Sequence, residues 1–339
     1  MYDISDPRSA PKVRITMMLE ALGRAGRVES ITGGRFGRAA RAFRWLVSGG
    51  PRRVGAVYVE APTSSPMPTD LAFLALMRLL RRPVGVYFRD AYPRFRDVHP
   101  RTSRRQVLTD LLWRATLPLL KGVASVRFVP SEGLAAGLGI SDAVLLPPGT
   151  DPAQPFLGAG EDDVVGAIVQ LGPTSGFDLL FAAMEIVRRS RPDARLVVVS
   201  RTVDPAQAAA LPAWVRIVAS GRSSLAETLA SARVCVLPLP INRYTDFAVA
   251  VRLYDLAALG KPIVATATGE SRRFLDASGA GLATDETADA MADAISRLLA
   301  DPALARSCSE RARGYATDPA NTWDARALTV RARLLGTPA

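Results

Sequence analysis

The stretch RLYDLAALGKPIVATATGE, residues Arg252–Glu270, contains the helix, turn and strand on which the fold of this chain depends. The spacing of Leu253, Leu256 and Ala257 places them on one helical stripe. Gly260 suits the end of that helix, because glycine is common just past a helix C-terminus. The following PIVAT is short, apolar and β-branched, which predicts a buried strand. Together these features predict one unit of a parallel α/β sheet.

The same alternation of strand and helix runs along the whole chain. Strand-like runs in the first half are RVESIT, GAVYVEAP, PVGVYFRD, SVRFVPS and AVLLPP. In the second half they are VGAIVQLG, ARLVVVS, VRIVAS, ARVCVLPLP, KPIVAT and AGLAT. Strands that alternate with helices form parallel sheets with right-handed crossovers. We therefore predict an α/β protein with two Rossmann-like doubly wound domains facing a central cleft, where ligands of such sheets bind.

A segment rich in proline, glycine and acids, LPPGTDPAQPFLGAGEDD at Leu146–Asp163, separates the two sets of strands. Such a segment is typical of a domain boundary. The predicted domains are residues 1–148 and residues 149–318. After a proline break near Pro319, residues 319–339 are predicted to form a terminal helix that can cross back to the first domain.

The composition excludes several classes of protein. With 339 residues, 48% hydrophobic and 22% charged, the chain is globular and long enough for two domains. Its apolar runs fall short of the roughly 20 residues of a membrane span, and we expect a cytoplasmic protein without a signal peptide. Two cysteines and one histidine make neither a disulfide framework nor a convincing zinc site. Neither a Gly-x-Ser-x-Gly elbow nor a Walker loop is present.

The net positive charge of the chain comes entirely from its first half. Residues 1–150 hold 23 Lys and Arg against 11 Asp and Glu, whereas the remainder holds 20 against 21. A basic half within an otherwise balanced chain indicates a docking surface for phospholipid headgroups or nucleic acid.

Residues 125–330 resemble the GT-B glycosyltransferases, and among them the family-4 type, which transfers sugars from nucleotide donors with retention. Four segments carry the resemblance in the family's order: FVPSEGLAAGLGISDAVLLPPGTD, VGAIVQLGPTSGFDLLFAAMEIVRRSRPDARLVVVS, SLAETLASARVCVLPLP with LYDLAALGKPIVAT, and YATDPANTWDARA. The resemblance implies a GT-B fold and a nucleotide sugar as co-substrate, with no separate cofactor and no metal.

The resemblance gives Asp255 the position of the second acid in the family's Glu-x7-Glu motif, which binds the ribose hydroxyls of the nucleotide. A carboxylate can accept two hydroxyls at once through charge-assisted hydrogen bonds. An acid in mid-helix is more often a solvated surface residue, but the surrounding motif favours the ligand role for Asp255.

Three family residues are absent from this chain. Phe247 stands where the first acid of the motif is expected, and Gln170 and Ser175 align with the Arg and Lys that neutralise the diphosphate. Arg252 lies one helical turn before Asp255 and can hold a phosphate at two points, so it is the predicted substitute.

Arg243, in the preceding loop, is the second candidate for the diphosphate. For each arginine the alternative is a solvated surface charge. Backbone amides near residues 245–248, the expected start of the helix, would add an anion site.

Further residues of the sugar-donor site follow two strands. Thr268, Gly269 and Glu270 come after PIVAT, where Gly269 allows close approach of a ligand. Glu270 can bind sugar hydroxyls or cap its helix, and capping is the favoured role. Gly172 and Ser175 lie in the loop GPTSG after the first strand of the domain, where they can bind phosphate or form an ordinary turn.

In the first half, the loop within YFRDAYPRFRDVHP follows a buried strand and turns toward the predicted cleft. Asp90 is the first candidate for contacting the acceptor hydroxyl or the transferred sugar, and His99 is the second. In a retaining transfer the departing phosphate can take the acceptor proton, so neither residue is required for catalysis. The alternative is that Asp90 pairs with Arg89 or Arg94.

A basic amphipathic helix is predicted over GRFGRAARAFRWLVSGGPRR. Its arginines recur every third residue, and its apolar residues, among them Phe36, Phe43 and Val47, are expected to pack on the sheet. Together with MRLLRRP it suits anionic lipid headgroups, so we expect peripheral binding to the inner face of the cell membrane and a lipid-linked or other glycan acceptor. Nucleic acid ranks well below lipid, because aromatic residues are only 6% of the chain.

Two alternatives stay open. Glycines 33, 34 and 37 lie between a predicted strand and helix, as in a dinucleotide site, although Thr32 replaces the first glycine of that fingerprint. The absence of the Arg/Lys pair also fits a catalytically silent GT-B protein that binds a sugar nucleotide or a partner protein.

Overall fold

A computed structural model describes residues 10–62, 65–100, 102–172, 175–219 and 224–336. The chain forms two compact units. The first contains Arg14–Pro147 together with the stretch from Asp324 onward, and the second contains Pro148–Trp323. Each unit has a sheet in which every neighbouring pair of strands is parallel, so each is an α/β unit of the predicted class.

The first unit has a four-stranded sheet in the order β1-β2-β3-β4. Its strands are β1 Val57–Glu60, β2 Val84–Tyr87, β3 Val126–Val129 and β4 Val144–Leu145. Its helices are α1 Ala10–Ala25, α2 Arg35–Val47, α3 Gly50–Arg53, α4 Pro68–Leu79, α5 Arg104–Val123, α6 Glu132–Leu138 and α14 Trp323–Leu335. The body of α14 returns to this sheet, where Gly85 leaves room for Leu334: a Cβ at Gly85 would lie 2.9 Å from that leucine.

The second unit has a six-stranded sheet in the order β10-β9-β8-β5-β6-β7. Its strands are β5 Val164–Ile168, β6 Arg195–Ser200, β7 Val215–Ala219, β8 Val234–Leu237, β9 Ile263–Thr266 and β10 Gly281–Thr284. Its helices are α7 Phe177–Ser190, α8 Pro205–Ala209, α9 Leu225–Leu229, α10 Val251–Ala258, α11 Gly269–Ser278, α12 Ala288–Ala300 and α13 Pro302–Thr317. This order reverses direction between β5 and β8, which is where ligands of doubly wound sheets bind.

Alternate residues of these strands fill two cores, one on each face of the sheet. Val165, Val198 and Val236 pack under α7 and α12. Val164 and Val199 point the other way, toward the side where α10 and α13 pack. Helices on both faces explain why the strands of this unit are continuous apolar runs in the sequence.

The turn between α10 and β9 explains the Gly-Lys-Pro of the opening stretch. Gly260 has a φ of 67°, the left-handed conformation that ends the helix as predicted. Lys261 is 0% exposed, and its Nζ donates to the carbonyls of Ala230 (3.1 Å) and Ala232 (2.8 Å), just beyond α9. Burial lowers the pKa of Lys261. Lys261 therefore links the residues just after α9 to the turn that precedes β9.

In the first unit, two sequence predictions are wrong. The run RVESIT is coil in the structure, not a strand. The apolar side of α2 does not pack on the sheet: Phe36, Phe43 and Val47 are exposed, Phe36 by 85%. Instead Arg38 turns inward and forms two hydrogen bonds with the Asp70 carboxylate, at 2.9 and 2.7 Å.

The terminal segment follows the expected pattern. A short 3-10 turn at Pro319–Asn321 separates α13 from α14. Within the described ranges, none of the helices combines the length and the apolar character that a bilayer crossing requires.

Candidate functional site

Arg252 lies at the carboxyl end of β5, where a ligand of the second unit is expected. Its Nη1 donates to the carbonyl of Ile168, the last residue of that strand. Burial, followed by the positive charge of Arg201, lowers the pKa of Arg252 to about 10. The guanidinium therefore stays charged at neutral pH, and its hydrogen bond to the Ile168 carbonyl holds it at the strand end.

Arg201 supplies a second positive charge beside this position. It follows β6 directly, is exposed, and is close enough to act on the pKa of Arg252. Arg252 is bonded to the last residue of β5, and Arg201 follows β6, which is the neighbour of β5 in the sheet. Two such groups can share the charge of a diphosphate. The sequence interpretation missed Arg201, although its place as the first residue after a predicted strand was a signal.

The loop after β5 is folded on itself and packed against β8. Ser175 Oγ donates to the carbonyl of Gly172 at 2.6 Å and accepts from the amide of Phe177 at 3.4 Å. Gly176 has a φ of 80°, and a Cβ there would lie 1.5 Å from the carbonyl oxygen of Pro238. Pro173 and Thr174 lie outside the described residues. The hydroxyl of Ser175 is thus already engaged in turn geometry.

Asp255 lies one turn after Arg252 on α10 and is partly exposed, between the buried Tyr254 and Leu256. The helix is anchored on its buried side. The ring of Tyr254 packs at 4.9 Å from that of Phe274, and the Arg313 guanidinium donates to the carbonyl of Ala258 at 2.7 Å. An anchored helix holds the Asp255 carboxylate in a defined place, as a ligand role requires.

The start of α10 differs from the prediction. The helix begins at Val251, and residues 243–247 form turns, so the expected anion site on the amides of residues 245–248 is wrong. The Asn242 side-chain oxygen accepts from the amides of Tyr244 (2.9 Å) and Thr245 (3.0 Å), which shapes this loop. Arg243 is exposed in it.

The loop is joined to the start of α11 through Asp246. Its carboxylate accepts from the amide of Gly269 at 2.8 Å, and its carbonyl accepts from the amide of Glu270 at 3.1 Å. A Cβ at Gly269 would lie 2.8 Å from the Asp246 carbonyl oxygen, so glycine is required for this close approach.

Thr268, not Glu270, caps α11. The buried Thr268 hydroxyl accepts from the amide of Ser271 at 3.3 Å and donates to its hydroxyl at 2.8 Å. The Glu270 carboxylate accepts from Arg273 at 3.0 Å. Both residues lie at the predicted strand end.

In the first unit, Asp90 lies in the loop after β2 and pairs with its neighbour. Arg89 Nε donates to Asp90 Oδ2 at 2.7 Å, and both side chains are largely buried. This pairing is one of the alternatives that the sequence leaves open. His99 lies in the same loop, with its ring edge-on to Tyr92 at a centroid distance of 4.6 Å.

The glycine turn before α2 is occupied by arginines. Arg38 donates to the carbonyl of Gly33 at 2.9 Å, and the Arg41 guanidinium lies where a Cβ of Gly33 would be. Among the described residues, no group of three or more His, Cys, Asp or Glu is arranged to hold a metal ion.

Comparison with known proteins finds a family match within the second unit. Residues 163–301 match the family model described as glycosyl transferases group 1. A search of curated proteins finds no match.

Solved structures with the same fold cover nearly the whole chain. Sucrose-phosphate synthase from Thermosynechococcus elongatus is 18% identical with a TM-score of 0.64, covering 97% of this chain and 94% of its own. WaaG, a glycosyltransferase involved in lipopolysaccharide biosynthesis, is 15% identical with a TM-score of 0.66, covering 99% and 98%. Anabaena HepE is 14% identical with a TM-score of 0.64, covering 99% of both chains. At these identities the likeness concerns the fold.

A glycosyl transferases group 1 domain within this two-sheet fold identifies a GT-B glycosyltransferase. The resemblance to the GT-B glycosyltransferases drawn from the sequence is thereby confirmed. The protein is an enzyme of the glycosyltransferase class.

Proposed function

We propose that this enzyme binds the diphosphate of its sugar donor through Arg252 and Arg201, and that it transfers the sugar with retention and without a metal ion. The observation that carries the proposal is the bond from the Arg252 guanidinium to the carbonyl of Ile168, which holds a charged group at the end of β5. Cations fixed where charge develops on the leaving group stabilise the transition state. They take the place of the absent Arg/Lys pair.

Asp255 is proposed to accept the ribose hydroxyls of the nucleotide, since it shares a face of α10 with Arg252. Gly269 and Glu270 are proposed to border the sugar, at the carboxyl end of β9. HepE is described in complex with UDP and glucose, which makes UDP the first nucleotide to test.

Two residues of the first unit are proposed to contact the acceptor or the sugar. The Asp90 carboxylate, oriented by Arg89, would contact the acceptor hydroxyl or the transferred sugar, with His99 as the second candidate. The ion pair fixes the direction of the carboxylate, which suits a positioning contact with a hydroxyl group.

The acceptor is proposed to be lipid-linked and reached at the inner face of the cell membrane. Large apolar side chains remain exposed on two helices of the first unit, namely Phe36, Phe43 and Val47 on α2 and Leu108, Leu111, Leu112 and Leu119 on α5. Basic residues share these helices, as Arg41 and Arg44 do on α2. Apolar side chains combined with positive charge suit insertion into an anionic membrane surface.

Binding of the protein to vesicles tests the membrane proposal. Phosphatidylglycerol vesicles at low salt are expected to sediment the wild type, and high salt or the double change Phe36→Ser and Phe43→Ser should weaken sedimentation at least tenfold. Exposed Arg306 on the second unit offers a control, since Arg306→Met should leave sedimentation unchanged. Equal sedimentation of all three proteins would contradict the proposal.

A catalytically silent protein is the second candidate. Phe247, at the place of the first acid, packs its ring 5.3 Å from that of Tyr244 and offers no carboxylate to a sugar. Calorimetry with UDP, together with release of UDP from UDP-sugars, separates the two candidates. Binding with turnover supports the enzyme, and binding without hydrolysis or transfer supports the silent protein. Absence of binding for every nucleoside diphosphate would contradict both.

A further inference from the structure

The first unit contains a cavity of about 600 Å³ beside β1. Pockets that hold small organic ligands have volumes of about 300–1,000 Å³ and mostly apolar walls. Four helices supply apolar wall residues here, for example Met18 of α1, Leu46 of α2, Phe73 of α4 and Leu334 of α14. Because one water molecule takes up about 30 Å³, the cavity has room for about 20 non-hydrogen atoms, the size of one long-chain fatty acid.

The end of the cavity beside the start of β1 carries an excess of positive charge. Arg53 lies just before β1, and its guanidinium donates twice to the Glu29 carboxylate, at 3.1 Å each. Arg27 pairs with the same carboxylate at 3.3 Å. Arg331 of α14 also lines the cavity, and its guanidinium lies beside Gly26 at this end. Three arginines thus accompany one glutamate, and the surplus charge suits an anionic ligand group.

The end of the cavity beside the last residue of β1 is balanced in charge. Glu60 pairs with the buried Arg14 at 3.2 Å, and Asp70, in the first turn of α4, pairs with Arg38 at 2.7 Å. Tyr58 also donates to Glu60, at 2.8 Å. Each carboxylate at this end therefore has a guanidinium of its own. A ligand that is charged at one end and apolar along its length matches this distribution, with its charged group beside the start of β1.

Exposed apolar side chains on the rim give such a ligand a way in. Val28 and Phe43 both line the cavity and are 40% and 66% exposed. Phe43 also belongs to the side of α2 that is proposed to insert into a membrane surface. The cavity therefore communicates with the protein surface through apolar side chains, along which an apolar chain can enter.

We propose that the cavity binds one free fatty acid, with its carboxylate at Arg27 and Arg331 and its chain along β1. A guanidinium can bind a carboxylate through two parallel hydrogen bonds, and apolar walls stabilise a chain that leaves water. The carboxylate would lie at the amino end of β1, whereas Asp90 follows the carboxyl end of the parallel strand β2. The fatty acid is therefore a separate ligand and not the sugar acceptor, and this inference is independent of the proposed function.

Calorimetry with saturated fatty acids of increasing length tests the proposal on the unmodified protein. Octanoate, decanoate and dodecanoate, each below its micelle concentration, should bind at one site per chain. Each added CH₂ should tighten binding about fourfold, the gain expected for its burial. Decanol has the same chain as decanoate without the charge, and it should bind at least about tenfold more weakly. Absence of binding, affinity independent of chain length, or equal affinity for decanol and decanoate would overturn the proposal.

Two variants locate the binding site. Ala42→Phe fills the cavity from α2 and should abolish dodecanoate binding, whereas Ala115→Phe, at an exposed position of α5, should not change it. The double change Arg27→Gln and Arg331→Gln should weaken binding at least about tenfold, and exposed Arg306→Gln on the second unit should leave it unchanged. Unchanged binding in the cavity-filling or double variant would overturn the proposal.

A competition experiment separates a fatty acid from a membrane phospholipid. The protein is incubated with phosphatidylglycerol vesicles that contain palmitate and is then analysed by native mass spectrometry. Retention of one palmitate is expected, and retention of phosphatidylglycerol in its place would overturn the proposal. The chain-length series and this experiment use the unmodified protein, so they decide the matter even if Ala42→Phe fails to fold.

Discussion

The two sheets of this protein differ in how completely their strands find partners. In the second unit, all six strands expected from the sequence form one parallel sheet with a core on each face. In the first unit, four of five expected strands form, and the fifth, RVESIT, lines a cavity beside β1. A strand pattern shows where a strand can form, whereas a neighbouring edge decides whether it does.

The units also use buried charge differently. The second unit satisfies Lys261 and Arg252 with backbone carbonyls. The first unit buries two ion pairs, Arg14 with Glu60 between a helix and a strand, and Arg38 with Asp70 between two helices. Where the first sheet is open, these pairs hold surrounding helices in place. This contrast leads to four predictions.

The largest effect is expected from Asp70→Asn in the first unit. The change leaves Arg38 buried without its anion, which typically costs about 3–5 kcal/mol of unfolding free energy. Urea unfolding measures the loss, and Asp142→Asn, which breaks an exposed pair with Arg127, should cost less than about 1 kcal/mol. Similar small losses for both variants would show that the first unit does not depend on its buried pairs.

Arg252→Met should next reduce transfer in the second unit. Loss of a cation that stabilises the leaving group typically costs about 3 kcal/mol, a factor of roughly 100 in turnover. Initial rates with a UDP-sugar and calorimetry with UDP measure the effect, and Arg306→Met is the control. Unchanged rate and affinity would mean that the diphosphate binds elsewhere.

Lys261→Met should destabilise the second unit by about 2 kcal/mol, because the carbonyls of Ala230 and Ala232 lose a buried partner. The side-chain volumes are similar, so the change reports mainly on the hydrogen bonds. The measurement is the melting temperature of the second unit's own transition in thermal unfolding of the full chain. A variant as stable as the wild type would show that water satisfies the two carbonyls.

The smallest effect concerns pH and Glu29. Hydrogen bonds from Arg53 and then Trp45 lower the pKa of this carboxyl to about 2 from its ordinary 4.5. Its contribution is therefore present above about pH 4.5 and is lost as the pH falls through about 2. Urea unfolding of Glu29→Gln should show a deficit at pH 6 that shrinks toward pH 2, unlike exposed Glu20→Gln. A deficit independent of pH would contradict this assignment.

Much of the sugar-donor site could be predicted, because the carboxyl ends of parallel strands recur at one edge of a sheet. Gly269 and the loop containing Ser175 follow strands, as predicted, whereas the binding roles of these residues and of Arg252 stay predictions. Arg201 was missed because its place after a predicted strand is the one local signal that it carries. Its importance depends on the adjacency of β5 and β6, which are distant in the chain.

The assignment of Thr268 and Glu270 shows a finer limit. Both residues suit a helix start, and only the backbone geometry decides that the Thr268 hydroxyl reaches the Ser271 amide. Asp246 likewise joins its loop to the start of α11 by accepting from the amide of Gly269, 23 residues away in the chain.

The sequence by itself determined the fold class, the resemblance to the family and the places where strands end, because apolar periodicity and turn residues act locally. Only the tertiary structure decided the burial of Arg38, the influence of Arg201 on Arg252 and the open edge of β1. Those features depend on contacts between segments that are far apart in the chain. The free energy of such contacts comes from burial and from electrostatic interaction between the segments, which leave no local pattern in the sequence.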